Sequence, residues 1–205
     1  MLNMSAAECL EFALRLVASI GSFPRDPKER PDWTEGNLEA LYAFVESDYV
    51  KSRFPDPVHY LARKHDFPAR KIGEYLSFDY SVYVPSARSF ETSPAGRGFL
   101  IFAESEFHKS LDGIKADFEK LLYVRAPCKV MMCWASQPSR ATVIAKELSD
   151  YAHSNCNQFS PGEVYVLYFS NWGTAATEPA FLWQAPEIPS SESEIPFKFE
   201  PLELA

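Results

Sequence analysis

Hydrophobic positions along the chain follow helical spacing in some stretches and strand spacing in others. A continuous apolar run, Phe99–Ala103, has the length expected of a strand that is buried on both faces. Apolar residues then recur at helical spacing over Ser110–Tyr123, and a second apolar strand follows at Lys129–Trp134. Two strands separated by a helix are typical of a parallel pair, so this stretch predicts a strand–helix–strand unit.

The flanking sequence predicts further elements on either side of this unit. The predicted helices are Met4–Ile20, a helix from about Thr34 to about Val50, a short helix near Val58–Lys64, and Pro138–Tyr151. The predicted strands are Ser77–Val84, which alternates apolar and polar residues, Glu163–Ser170, and a short edge strand at Phe181–Gln184. Together these elements predict an α/β fold in which a mixed β-sheet is flanked by helices on both faces.

The 205 residues are enough for one domain with an appended helical segment. We predict that residues 1–70 form an N-terminal helical segment packed on the core and that residues 71–185 form the α/β core. Residues 186–205 are rich in proline, serine and glutamate, which predicts a flexible acidic tail.

The net charge and the cysteine content indicate which partners and which compartment to expect. The formal net charge of −8 argues against a large basic face that would grip nucleic-acid phosphates. The N-terminus lacks a secretion signal, and no apolar run approaches the roughly 20 residues that span a bilayer, so we expect no membrane association. Isolated cysteines among apolar neighbours favour a reducing compartment, and we expect a cytoplasmic protein. These cysteines are Cys9, Cys128, Cys133 and Cys156.

The candidate chemistry lies where the apolar strand ends. Because side chains of a strand alternate, Glu104 and Glu106 leave the run on the same face. Asp79, on the preceding predicted strand, can bring a third carboxylate to them. Three oxygen ligands on adjacent strands suit Mg²⁺ or Mn²⁺. The alternative is that all three are ordinary solvated acids at strand ends.

The order of these features resembles the PD-(D/E)xK nuclease superfamily. An Asp in SFDY, a connection, an apolar strand ending in acid-x-acid, then helix, strand and helix cover roughly Glu74 to Tyr151. The resemblance implies a restriction endonuclease-like core and a divalent-metal-dependent nuclease acting on nucleic acid, with Asp79 and Glu104 as metal ligands. Glu106 occupies the position of the superfamily's lysine, and would assist or hold a second ion. In this superfamily the lysine often lies on the following helix, where Lys120 is the candidate.

Several residue assignments within the predicted site have alternatives. Lys120 lies nearly opposite the apolar stripe of its helix, which by itself predicts that it points to solvent. The rival lysines are Lys109 and Lys115, the acid of the first core helix could be Glu46 or Glu74, and His108 could join Glu104 and Glu106 at a metal.

Three functions therefore compete. The first is a Mg²⁺- or Mn²⁺-dependent phosphodiesterase acting on nucleic acid. The second is a nuclease fold that has lost catalysis and serves as an interaction module, with a protein partner or as a homodimer; the glutamate in the lysine position and the acidic charge favour it. The third is an unrelated α/β domain with no active site.

Overall fold

The computed structural model describes most of the chain. The described residues are 2, 4–22, 33–61, 78–84, 98–106, 110–135, 137–155, 159–170, 180–186 and 196–202. The helices are α1 (Ala6–Ser22), α2 (Trp33–Val45), α3 (Asp48–Lys51), α4 (Leu111–Tyr123) and α5 (Pro138–Asn155). The strands are β1 (Val58–Leu61), β2 (Tyr80–Tyr83), β3 (Phe99–Glu106), β4 (Cys128–Trp134), β5 (Val164–Ser170), β6 (Ala180–Gln184) and β7 (Glu200–Leu202).

The seven strands form one sheet in which the spatial order is the chain order, β1 to β7. The two pairs separated by helices, β3–β4 and β4–β5, are parallel, and the other four pairs are antiparallel. The predicted α/β class and mixed sheet are confirmed.

Helices cover both faces of the sheet, and each face has its own hydrophobic core. The core on one face, which we call the α1 face, joins residues of α1, α2 and α3 to Tyr80, Val82 and Ile101 of the sheet. The core on the other face, the α4 face, joins α4 and α5 to residues such as Phe102 and Leu167. Helices α4 and α5 lie on the same side of the three parallel strands, as crossovers of one hand predict.

Helix α1 is fastened to strands that come much later in the chain. It packs against β4, β5 and β6. The side chain of Gln184 donates a hydrogen bond from Nε2 to the carbonyl oxygen of Ala6 at 2.6 Å. Gly162 has a φ of 76°, and a Cβ at this position would lie 3.0 Å from the Ala6 Cα. Glycine is therefore needed there both for the backbone conformation and for the close approach of α1.

The prediction of a short helix near Val58–Lys64 is wrong for the residues of this stretch that the structure describes. Val58–Leu61 is strand β1, which pairs antiparallel with β2 so that Val58 lies opposite Tyr83. Four residues are too few for periodicity to separate a helix from a strand, and pairing with β2 decides the outcome. Residues 62–64 lie outside the described residues.

The helix predicted from about Thr34 to about Val50 is divided in two. Helix α2 ends at Val45, and α3 begins at Asp48 after an extended Ser47 with φ −67° and ψ 154°. The Ser47 hydroxyl donates a hydrogen bond to the carbonyl oxygen of Phe44 at 2.6 Å. Serine side chains that bond to nearby backbone in this way compete with helix continuation.

The predicted flexible tail is wrong for residues 196–202. Glu200–Leu202 form β7 on β6, so β6 is not an edge strand as predicted. Phe197 and Phe199 are buried in the α4-face core. The prediction fails because it rests on the average composition, which is polar and rich in proline, whereas the segment contains two aromatic side chains at strand spacing. The sheet also extends beyond residues 71–185, through β1 at one end and β7 at the other.

Candidate functional site

Glu104 and Glu106 lie on the α4 face at the end of β3. In the parallel pairing of β3 with β4, Glu104 is opposite Met131 and Glu106 is opposite Cys133, and both partners belong to the α4-face core. The shared face agrees with the prediction from strand alternation. Their exposure differs, because Glu104 is buried, with 1% of its surface exposed, whereas Glu106 is half-buried. Glu104 is therefore the unusual member of the pair, since ionised carboxylates are seldom fully buried.

Asp79 lies beside Glu104, one residue before β2 begins. Tyr80 is opposite Ala103, which places Asp79 next to Glu104 across the strand pair. Phe78 belongs to the α4-face core and Tyr80 to the α1-face core, so the predicted regular alternation is broken by a bend at Asp79. The carboxylate Oδ2 of Asp79 accepts a hydrogen bond from the backbone nitrogen of Ser105 at 2.9 Å. Asp79 lies just before β2 begins, and its side chain accepts this hydrogen bond from the backbone of β3.

Lys120 of α4 meets Glu104, contrary to the direction that its helical position predicts. Its Nζ lies 3.2 Å from Glu104 Oε1 and 2.7 Å from Asp117 Oδ1. The Lys120 side chain is 37% exposed, so it lies along the protein surface instead of extending into water. A lysine has a long flexible stem, and the wheel position of its Cα does not fix where the ammonium group ends.

Asp117 belongs to the same group of charges, although the sequence alone does not single it out. It lies three residues before Lys120, a spacing at which helical side chains are neighbours. That spacing is the signal in the sequence, but it is equally typical of surface ion pairs. We call Asp79, Glu104, Asp117 and Lys120 the Glu104 cluster.

The electrostatics of the cluster are dominated by the burial of Glu104. The pKa of Glu104 is raised to about 8, mainly by burial and next by the negative charge of Asp79, while the Lys120 ammonium acts in the opposite direction. The pKa of Lys120 is lowered by burial, but its hydrogen bond to Asp117 and the charge of Glu104 outweigh that effect and leave it above its ordinary value. Lys120 is therefore a permanent cation at neutral pH, beside a carboxyl group that holds its proton unusually tightly.

The rival residues lie elsewhere or outside the described residues. Lys115 points along the other flank of α4, where its Nζ lies 3.0 Å from Glu147 Oε2 of α5. Glu46 lies at the end of α2, on the α1 face, and contacts His59 at 3.0 Å and Lys51. The other three alternatives, Lys109, Glu74 and His108, lie outside the described residues.

The carboxylates of the cluster determine whether it could hold the predicted metal ion. Within the described ranges, no group of three or more His, Cys, Asp or Glu side chains is arranged to hold a metal ion. Asp79 and Glu104 nevertheless offer adjacent carboxylate oxygens, and Mg²⁺ is commonly held by one or two carboxylates together with water and substrate phosphates. The residues present therefore fit a cation that would take its remaining ligands from water and substrate.

Comparisons with known proteins found no matching family model, no matching curated protein and no matching solved structure. Among the described helices, none has both the length and the apolar character needed to cross a membrane.

Proposed function

We propose that this protein is a divalent-metal-dependent phosphodiesterase of the nuclease type, acting on nucleic acid. The observation that carries the proposal is the meeting of Lys120 Nζ with Glu104 Oε1 at 3.2 Å. A lysine that reaches a buried acid at the end of β3, from the helix that follows, is the arrangement implied by the resemblance to PD-(D/E)xK nucleases.

The order of elements also supports a restriction endonuclease-like core. Asp79 immediately precedes β2, Glu104 lies near the end of β3, and α4, β4 and α5 follow in the expected order. Asp79 and Glu104 meet across the antiparallel pair of β2 and β3. An unrelated α/β domain with no active site does not require these two acids to meet.

Each residue of the site would have a defined role. Asp79 and Glu104 would hold Mg²⁺ or Mn²⁺, and Glu106, on the same face, would assist or hold a second ion. The bound ion would polarise a phosphoryl oxygen and lower the pKa of a coordinated water. Lys120 would orient the attacking water and offset negative charge that develops on the phosphate. Because the chain carries a net charge of −8, contact with the nucleic acid would depend on a local cleft instead of a broad basic face.

A second candidate is a nuclease fold without catalysis that serves as an interaction module, for a protein partner or a second copy of the chain. The observation in its favour is that side chains of the cluster already have partners within the protein. Asp79 accepts from the Ser105 backbone, and Lys120 contacts both Glu104 and Asp117. Glu106 in place of the usual lysine also favours this candidate. We propose a cytoplasmic location for either function, since Cys9, Cys128 and Cys133 are free and buried.

Metal binding separates the two candidates. Mn²⁺ binding would be measured by calorimetry on the wild type and on Asp79→Ala/Glu104→Ala, with folding checked by circular dichroism. The matched control is Asp112→Ala/Glu119→Ala, which removes two carboxylates from α4 at positions away from Glu104. We expect saturable binding that the site variant loses and the control keeps.

Hydrolysis is then tested with the wild type and Lys120→Met on single- and double-stranded DNA and RNA in the presence of Mg²⁺ or Mn²⁺. We expect cleavage by the wild type and a loss of at least a hundredfold in Lys120→Met. Absence of Mn²⁺ binding by the folded wild type would remove the catalytic candidate and leave the interaction module.

A further inference from the structure

The position of the Lys120 ammonium group affects the binding of a metal ion as well as the proposed hydrolysis. Its Nζ lies between two carboxylates, 2.7 Å from Asp117 Oδ1 and 3.2 Å from Glu104 Oε1. These are the distances of direct hydrogen bonds, with no room for a water molecule between the groups. One of the two Glu104 oxygens that could bind a metal ion is therefore already in contact with a cation.

A second cation cannot approach the same oxygen without a cost. A divalent ion near Glu104 Oε1 would be repelled by an ammonium group a few ångströms away, and the repulsion is strong at a site where Glu104 is buried. We propose that Lys120 is the resident cation of the Glu104 cluster and that a divalent ion binds by displacing its ammonium group from Glu104. This inference rests on the metal site of the proposed function and states how that site is regulated.

Asp117 determines where the displaced ammonium group goes. Its contact with Lys120 is the shorter of the two and lies within one turn of the same helix, so it can persist when the contact with Glu104 is broken. The ammonium group would then stay beside the site, tethered to Asp117, in a position to face the attacking water. The same lysine therefore lowers metal affinity in the resting protein and supports hydrolysis once the metal is bound.

Removing the charge while keeping the stem of the side chain tests this arrangement. Mg²⁺ affinity would be measured by calorimetry at pH 8.5 for the wild type, Lys120→Met, and Lys120→Met/Glu104→Gln. The matched control is Lys115→Met, because Lys115 lies on the same helix but pairs with Glu147 of α5 at 3.0 Å. We expect Lys120→Met to bind Mg²⁺ at least tenfold more tightly than the wild type. We also expect Lys115→Met to stay within twofold, and the double variant to lose the gain.

A measurement on the wild type avoids dependence on any variant. In protein labelled with ¹⁵N at lysine side chains, addition of Mg²⁺ should shift the Lys120 amine resonance and leave that of Lys115 in place. An affinity for Mg²⁺ in folded Lys120→Met that is equal to or weaker than that of the wild type would overturn the proposal. An equal gain in Lys115→Met would overturn it as well, because the effect would then be one of general charge.

The outcomes distinguish this proposal from the proposed function. Tighter Mg²⁺ binding by Lys120→Met without any hydrolysis by the wild type would uphold the resident cation and reject the nuclease. Hydrolysis by the wild type with no gain in affinity in Lys120→Met would uphold the nuclease and reject the resident cation.

Discussion

The ammonium group of Lys129 in β4 lies 3.0 Å from a carboxylate oxygen of Glu163, and both side chains are almost completely buried. The hydroxyl of Tyr165 links them, because it accepts from Lys129 Nζ at 2.6 Å and donates to Glu163 Oε1 at 3.1 Å. The ring of Tyr165 packs against Phe197, with the centroids 5.2 Å apart. A buried ion pair is thus enclosed between the sheet and the C-terminal segment.

Lys129→Met should destabilise the protein by about 3–5 kcal/mol, because it leaves the Glu163 carboxylate buried without its cation. The free energy of unfolding would be measured by urea denaturation. Lys146→Met is the control, since Lys146 pairs with Asp150 at the surface, where loss of an ion pair has little effect on stability.

The double variant Lys129→Met/Glu163→Gln should be more stable than Lys129→Met alone, because both charges are then absent. Simple addition of the two single losses would show that the two side chains are not energetically coupled.

Phe197→Ala should destabilise the protein by about 3–5 kcal/mol, the range for loss of a large buried aromatic side chain. Phe197 is 3% exposed and stacks on Trp183 with the centroids 4.2 Å apart. Urea denaturation gives the loss, and near-ultraviolet circular dichroism should show the altered environment of Trp183. The neighbouring Lys198→Ala is the control, because its side chain is 65% exposed. A similar effect of both substitutions would mean that the segment contributes through its backbone alone.

A buried histidine links β1 to α2 and gives the fold a dependence on pH. His59 Nε2 lies 3.0 Å from Glu46 Oε1, and Nδ1 lies 2.7 Å from the hydroxyl of Tyr80. A carboxylate can only accept, so Nε2 carries the proton and Nδ1 of the neutral ring accepts from Tyr80. Protonation of Nδ1 would turn the Tyr80 hydroxyl into an acceptor and oblige it to redirect its own proton inside the core.

The contribution of His59 to stability should therefore fall as the pH drops from 7.5 to 5, while the titration of Glu104 acts in the opposite direction. Burial lowers the pKa of His59 below its ordinary value of 6.5, against the opposing effect of Glu46, so the unfolded chain binds a proton in this range that the folded protein does not. Glu46 does not account for this loss, since its pKa lies below 4.5 owing to hydrogen bonds from Lys51 and His59 that outweigh its burial. Urea denaturation of the wild type and His59→Gln at both pH values checks the effect: the stability of the wild type relative to the variant should be lower at pH 5 than at pH 7.5. An unchanged pH dependence in that variant would place its origin at other groups.

The titration of Glu104 gives the free energy of unfolding a pH dependence opposite in sign to that of His59, and Glu104→Gln should remove it. Because the pKa of Glu104 rises from 4.5 to about 8 on folding, the folded protein holds a proton that the unfolded chain has lost, and stability falls as the pH rises through this range. The glutamine variant lacks this titration. Its stability relative to the wild type should grow by roughly 3–5 kcal/mol between pH 5 and pH 9 in urea denaturation. Parallel stability curves for the two proteins would contradict the raised pKa.

The sequence predicts the fold well where the apolar pattern is long. Phe99–Ala103 and the helix that follows it are predicted correctly, and with them the position of Glu104 at the end of a buried strand. Strand β1 is missed because four residues carry no periodicity. Strand β7 is missed because Phe197 and Phe199 stand in a segment whose average composition is polar.

The site is less predictable than the fold, because its contacts depend on the ends of long side chains. The position of Lys120 on its helix predicts solvent, whereas the stem bends back to Glu104. Lys129 gives no signal, because a buried lysine becomes acceptable only through the Glu163 and Tyr165 that the neighbouring strand places beside it. Such pairings depend on strand register, which hydrophobic periodicity does not specify for polar side chains.

The contacts of α1 also bear on how the protein is made. During synthesis this helix leaves the ribosome before the strands that cover its apolar face, β4, β5 and β6, which are translated much later. Until then Phe12, Leu16 and Ile20, which are fully buried in the finished fold, have no sheet to pack on. Nascent chains are therefore expected to expose an apolar helix until these strands have been translated, and to depend on chaperones or rapid folding to avoid aggregation.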